Sequence, residues 1–177
     1  GIAKGRYLCV HHSDDCFNDE GVLTRVYDQI QSFGKTEIIL GCSVIMVSSS
    51  GEEIRRFDSR HGFTHLGWMP PHPGLFIPAN LFKEVGLYDD RFSISGDYEL
   101  VLRLLHRHKT LVNYQASSTI SHRMLAGGLS SNIIKSTMED LVAAKRYFPL
   151  FFPMTILFKK LRKVMTFTKF SIFSKVE

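Results

Sequence analysis

Two hydrophobic rhythms run along the chain. From Gly21 to Phe33, Val22, Leu23, Val26 and Ile30 recur at the three-to-four spacing of one helix face, and Gly34 follows as a stop. From Glu37 to Val47 the residues are β-branched and almost continuously apolar, which is the pattern of a strand covered on both faces. Ser48-Ser49-Ser50-Gly51 then turns the chain into Glu52–Phe57, the expected return arm of a hairpin. Further on, Tyr98, Val101, Leu102 and Leu105 share one face of a helix predicted from Asp97 to His108. Asp97 opens it and Arg107 and Lys109 close it, a charge order that suits the helix dipole.

Shorter signals fill the gaps. Arg6–His12 reads as a short buried strand running into Ser13-Asp14-Asp15, and Asn80–Val85 as a helix closed by Gly86. Tyr88-Asp89-Asp90 reads as a turn, Leu111–Tyr114 and Thr119–Arg123 as strands, and Asn132–Phe148 as a final long helix. Periodicity is lost from Asp58 to Pro78, which is expected to be an irregular loop. This order of elements predicts an α/β domain with a mixed sheet. The first strand follows almost nothing, and the sequence opens Gly1-Ile2-Ala3 without a methionine. An N-terminal portion is therefore expected to be missing.

Composition narrows the class. The 177 residues, 44% apolar and 22% charged, suit one folded domain. Cys9, Cys16 and Cys42 form neither an even framework nor a paired motif, and the first residues hold no signal-peptide run, so a reducing cytoplasm is expected. The net charge of +5 sits in the tail, where Lys159, Lys160, Arg162, Lys163, Lys169 and Lys175 face only Glu177. The neutral remainder argues against a nucleic-acid-binding body.

Residues 1–148 are therefore read as the functional domain and 149–177 as a basic, aromatic tail. Met154, Leu157, Phe158, Leu161, Val164 and Met165 would line one helical face of that tail. Lys159, Arg162, Lys163 and Lys169 would lie elsewhere, although Phe167, Phe170 and Phe173 fall near the basic side. Such a helix could lie on an anionic membrane surface, placing the protein at the inner face of the cell membrane. The alternative is a tail that packs on missing sequence or stays disordered.

Three places could carry chemistry. Asp14 and Asp15 follow a strand at the edge where open α/β sheets bind ligands, and adjacent carboxylates point different ways. One could hold Mg²⁺ or Mn²⁺ and the other a sugar or ribose hydroxyl, although Ser and Asp also favour plain turns. Asp97 could take a proton from an attacking hydroxyl, or simply stabilise the helix it opens. His72, held between Pro71 and Pro73, could touch substrate or sit on a surface loop.

Read together, these pieces resemble the family-two glycosyltransferases of the GT-A fold. The run Ala3-Lys4-Gly5-Arg6-Tyr7 into Ser13-Asp14-Asp15, and on to Gly21-Val22-Leu23, is similar to that family's approach to its acidic metal motif. His72-Pro73-Gly74-Leu75-Phe76 and Leu81–Asp89 resemble the segment leading to the acceptor site. Ser95-Gly96-Asp97-Tyr98-Glu99-Leu100 resembles the segment with the catalytic base, and Gly127-Gly128-Leu129-Ser130 the small-residue loop behind it. The resemblance covers roughly residues 1–132 and implies a partial GT-A fold.

It implies that Asp15 is the metal ligand, Asp14 a donor contact, Asp97 the base, and His72 and Arg123 substrate contacts. It implies inverting transfer from a nucleotide-sugar donor to a glycan or lipid-linked acceptor, assisted by a divalent metal. The family's N-terminal strand–helix units, which hold the nucleotide base, have no counterpart in this sequence. Two rival readings stand beside it. One is a metal-dependent hydrolase built on His12, Asp14, Asp15 and His72, and the other is a membrane-associated interaction module without catalysis.

Overall fold

A computed structural model describes residues 3–34, 36–108, 112–126 and 132–173, with side chains as far as Arg162. Lys109, Leu111, the Gly127–Ser130 loop, Lys175 and Glu177 lie outside the described residues. In chain order the elements are β1 (Tyr7–Leu8), β2 (Cys16–Phe17), α1 (Val22–Ser32), β3 (Ile39–Val47), β4 (Glu53–Phe57), β5 (Leu75–Pro78) and α2 (Leu81–Val85). They continue with α3 (Gly96–Leu102), β6 (Tyr114–Leu125), α4 (Ile133–Tyr147) and α5 (Phe152–Phe173). Short 3₁₀ turns occur at Thr64–Leu66 and His72–Gly74, and a π turn at Arg103–Arg107 extends α3.

The result is a curled, mixed sheet in the order β1-β5-β3-β6-β2, with β4 also paired to β3. Strand β3 runs parallel to β6 and antiparallel to β4 and β5. Its side chains alternate between two cores, as a pleated strand requires. Ile38, Leu40 and Cys42 pack with Phe76 under the Val22, Val26 and Ile30 face of α1. Ile39 packs on the other side with Leu75, Ile77, Leu100, Val101 and Leu104. A third cluster, including Tyr98, Leu102, Ala143, Ala144, Phe148 and Ile156, joins α3 to α4 and α5. Each fully buried Leu or Ile here contributes about 1.5–3 kcal/mol.

The predicted helices over Gly21–Phe33 and Asn132–Phe148 form as α1 and α4. Gly34 takes a φ of +64° after α1, and the Asn132 side chain accepts the Lys135 N–H at the start of α4. The hairpin from β3 to β4 is also present.

Three expectations need correcting. The Arg6–His12 strand shrinks to Tyr7–Leu8, with His11 and His12 exposed, because its partner β5 is only four residues long and pairs with it only through Pro78 and Ile77. The stretch from Asp58 to Pro78 is not wholly irregular, since it ends in β5, a fully buried strand hidden in the sequence by its flanking prolines. Of the two strand candidates, Thr119–Arg123 lies within the longer β6, whereas Leu111–Tyr114 gives it only Tyr114, Leu111 lying outside the described residues. The pairing of β6 with β3 slips between Gly41 and Ser43 and again between Ser43 and Val44.

Gly74 shows how tightly the His72 turn is seated. A methyl group there would meet the backbone carbonyl of Cys42 well inside van der Waals contact. Gly74→Ala should destabilise the fold by about 1–3 kcal/mol, read as a lower urea midpoint at unchanged slope.

Candidate active site

Beyond β1 the chain turns back on itself, and the Asp15 N–H donates to the His12 carbonyl at 3.2 Å. Asp14 stays exposed while Asp15 is partly covered, with its Oδ2 buried and without a hydrogen-bond partner. Burial raises the Asp15 carboxyl above its usual range and Asp14 pushes the same way, while His12 and His11 pull it down. A carboxylate oxygen without a donor, next to two imidazoles, is a place where a cation would be welcome. Among the described residues, no group of three or more His, Cys, Asp or Glu is placed to hold a metal. Asp15 offers a single unpartnered carboxylate oxygen, so a cation there would need further ligands from outside the described residues.

The second half of the site is built by the Pro71–Gly74 turn and the start of α3. Flanking prolines fix the backbone of His72, and its ring is buried. His72 Nε2 and Tyr88 Oη share a short hydrogen bond, with the two rings edge to face at 5.8 Å. Burial lowers the His72 pKa, the Asp97 charge works against that, and His12 adds to it. Burial also raises the Tyr88 phenol, and Asp97 raises it further. Asp97 lies in the first turn of α3, where its Oδ1 accepts the Tyr98 N–H at 2.7 Å.

One imidazole pair therefore connects the two acidic segments. The His12 and His72 rings lie 6.3 Å apart. His12 acts on Asp15, and His72 feels Asp97. Asp14 and Asp15 lie in the turn after β1, His72 in the turn before β5, and Asp97 in the first turn of α3. Arg123 is close to Asp15 through the strand register, since it faces Cys16 across β2 and β6. Its guanidinium is occupied in holding the β3–β4 turn, donating to the Gly51 carbonyl at 2.8 Å.

Several supporting residues carried no signal in the sequence. Glu139 on α4 receives the N–H groups of Ser93, Ile94 and Ser95 at 3.3, 2.8 and 2.8 Å, plus the Ser93 hydroxyl at 2.8 Å. That clamp fixes the loop from which Asp97 emerges. Glu99, with 1% of its surface exposed, binds Arg103 at 2.8 Å, Arg146 at 3.1 Å and the Tyr147 hydroxyl at 2.6 Å. Lys159 of α5 reaches Asp140 at 2.7 Å and lies 3.5 Å from the Tyr98 ring centroid. Burial lowers its pKa, and the Asp140 carboxylate and, less strongly, the Asp97 charge act against that. Tyr88 read only as a turn residue, and nothing in its spacing marks it as a partner of His72.

A separate hollow of about 350 Å³, lined by His61, His65, Trp68, His106 and Tyr114, lies beside the far end of the α3–π stretch rather than at Asp97. No family model and no curated protein matches this chain.

Glu139 should be visible in acid. Burial acts to raise its pKa, but the N–H donors of Ser95 and Ile94 and the Ser93 donors outweigh it and bring the value from 4.5 to about 2. A depressed folded value stabilises the protein above pH 4.5 and loses that contribution as pH falls towards 2. Glu139→Gln should be less stable than the parent at neutral pH, with the difference narrowing between pH 4.5 and 2 in urea melts.

Proposed function

We propose that the protein is a glycosyltransferase that moves a sugar from a nucleotide-sugar donor to a hydroxyl acceptor with inversion, with Asp97 as the base. The observation that carries this reading is the position of His72. It is buried and bonded to Tyr88, its ring lies 6.3 Å from that of His12, and the charges of Asp97 and His12 both act on it, while His12 also acts on Asp15. On this reading the two acidic segments face one polar centre, as a displacement between two oxygens needs. The resemblance to family-two glycosyltransferases of the GT-A fold supports the same roles.

The chemistry follows from charge. Asp97 accepts the proton of the acceptor hydroxyl as that oxygen bonds to the anomeric carbon. The bond from the anomeric carbon to the diphosphate breaks, its electron pair leaves on the diphosphate, and the configuration inverts. A divalent ion held by Asp15 would supply the positive charge that offsets the negative charge building on the diphosphate. Asp14 is suited to a donor hydroxyl, being exposed beside that carboxylate. His72, whose pKa burial lowers, holds Tyr88. Placing donor and acceptor in line supplies up to about 7–11 kcal/mol when alignment is good. A lipid-linked or surface glycan is the acceptor class this reading favours, with the reaction at the cytoplasmic face of the membrane.

Turnover of a panel of sugar nucleotides by the full-length protein with Mn²⁺, with a lipid and glycan extract as acceptor, tests the assignment. Asp97→Asn should lower acceptor-dependent nucleotide release by about 10²–10⁴-fold while leaving donor binding nearly unchanged. Release that needs no acceptor, or that survives this substitution, would instead indicate hydrolysis or a different base.

A further inference from the structure

Helix α5 faces the wrong way for a helix bathed in water. Lys159 and Lys160 turn inward, where Lys159 binds Asp140 at 2.7 Å and Lys160 donates to the Thr137 hydroxyl at 2.8 Å. Thr155 and Ile156 on the same side are buried against the domain. Its large apolar side chains point outward, with Met154 54%, Leu157 57%, Phe158 36% and Leu161 46% exposed. The spacing of these four makes a single stripe down one helix face. Leu150 and Phe151, 84% and 62% exposed, continue the apolar surface into the preceding turn.

An ordinary surface helix buries its apolar stripe and shows its charges. Over residues 154–161 the arrangement is reversed, and an exposed apolar stripe of this kind marks a docking face. The charge of the helix decides which partner fits. Lys159 and Lys160 are engaged with α4, but from Leu161 to the end of the chain the sequence holds four more basic residues, Arg162, Lys163, Lys169 and Lys175, against Glu177 alone. Lys145 is exposed beside its start, with its ammonium 6.0 Å from the Phe152 ring centroid. A second copy docked through the same face would match the apolar stripe but bring like charge, and α5 has no carboxylate to answer it.

An anionic lipid surface answers both features, taking the apolar side chains at its acyl boundary and the positive charge among its headgroups. No helix among the described residues is long and apolar enough to cross a membrane, so the fitting geometry is a helix lying in the interface.

We propose that Leu150, Phe151, Met154, Leu157, Phe158 and Leu161 form the face by which this protein lies on an anionic lipid bilayer. The assignment is independent of the chemistry at Asp97, and its test uses no activity. The full chain is sedimented with vesicles of phosphatidylcholine alone or of phosphatidylcholine with phosphatidylglycerol, at low and high salt. It should pellet with the phosphatidylglycerol vesicles and less so in high salt.

Leu157→Glu with Leu161→Glu should weaken binding at least about tenfold, and so should Leu150→Ser with Phe151→Ser in the turn. Leu23→Glu, an exposed position on α1, should bind as the parent does. Circular dichroism confirms that each variant is folded, and the two independent pairs guard against loss of one. A parent that stays in the supernatant with anionic vesicles overturns the proposal, and so do folded variants that pellet as the parent does. A parent dimer that light scattering finds split by Leu157→Glu/Leu161→Glu assigns the face to a second copy and also overturns it.

Discussion

A strand covered on both faces leaves no water for its backbone, so the N–H and C=O groups of β3 must be paired along both edges. One edge is taken by β6 over the whole length of β3. The other is divided, with β5 bonded at Leu40 and Gly41 and β4 from Val44 to Val47. That division sets the layout of the candidate site. Because β5 ends its pairing early on β3, the turn that precedes it carries His72 over the middle of the strand, with Gly74 packed on the Cys42 carbonyl. Because β6 runs the full length, its far end brings Arg123 and His122 to β2, next to Asp15.

A second constraint holds the opposite wall. Burying the Glu99 carboxylate costs hydration that only several donors can replace, and Arg103, Arg146 and the Tyr147 hydroxyl provide them. Arg146 also reaches Asp89 at 3.0 Å, and Arg103 donates to the carbonyls of Val85 and Leu87. One buried charge thus ties α3 to α4 and to the end of α2, on either side of Tyr88. With the Glu139 clamp, this adds ionic hydrogen bonds to the apolar packing of Phe92 in fixing the stretch from Asp89 to Asp97.

Much of the fold was legible because period and burial agree. Val22, Val26 and Ile30 announce α1, and the unbroken run to Val47 announces β3. Strand β5 was not, since four residues between prolines carry too little pattern to stand out. Nor was the full extent of β6, from Tyr114 to Leu125, where register slips against β3 interrupt the alternation, so that Ser121 and His122 are both fully buried. For the site, Asp14, Asp15, His72 and Asp97 were visible as residue types in telling places. Tyr88, Glu139 and Lys159 were not, because each matters through a partner distant in sequence, and single-chain patterns are blind to such pairs.

The parallel contact between β3 and β6 also has a kinetic side. Ile39 meets Tyr114 across about 75 positions of chain, and no hairpin can bring them together. Closing so large a loop costs entropy before any pairing repays it, so β3 must wait, apolar on both faces, until most of the domain has been synthesised. The β3–β4 hairpin and α1 can form early and shield part of that strand, whereas the β6 edge stays open to the last. The strand order thus leaves an apolar edge unpaired through much of synthesis, the kind of exposure that favours aggregation in nascent chains.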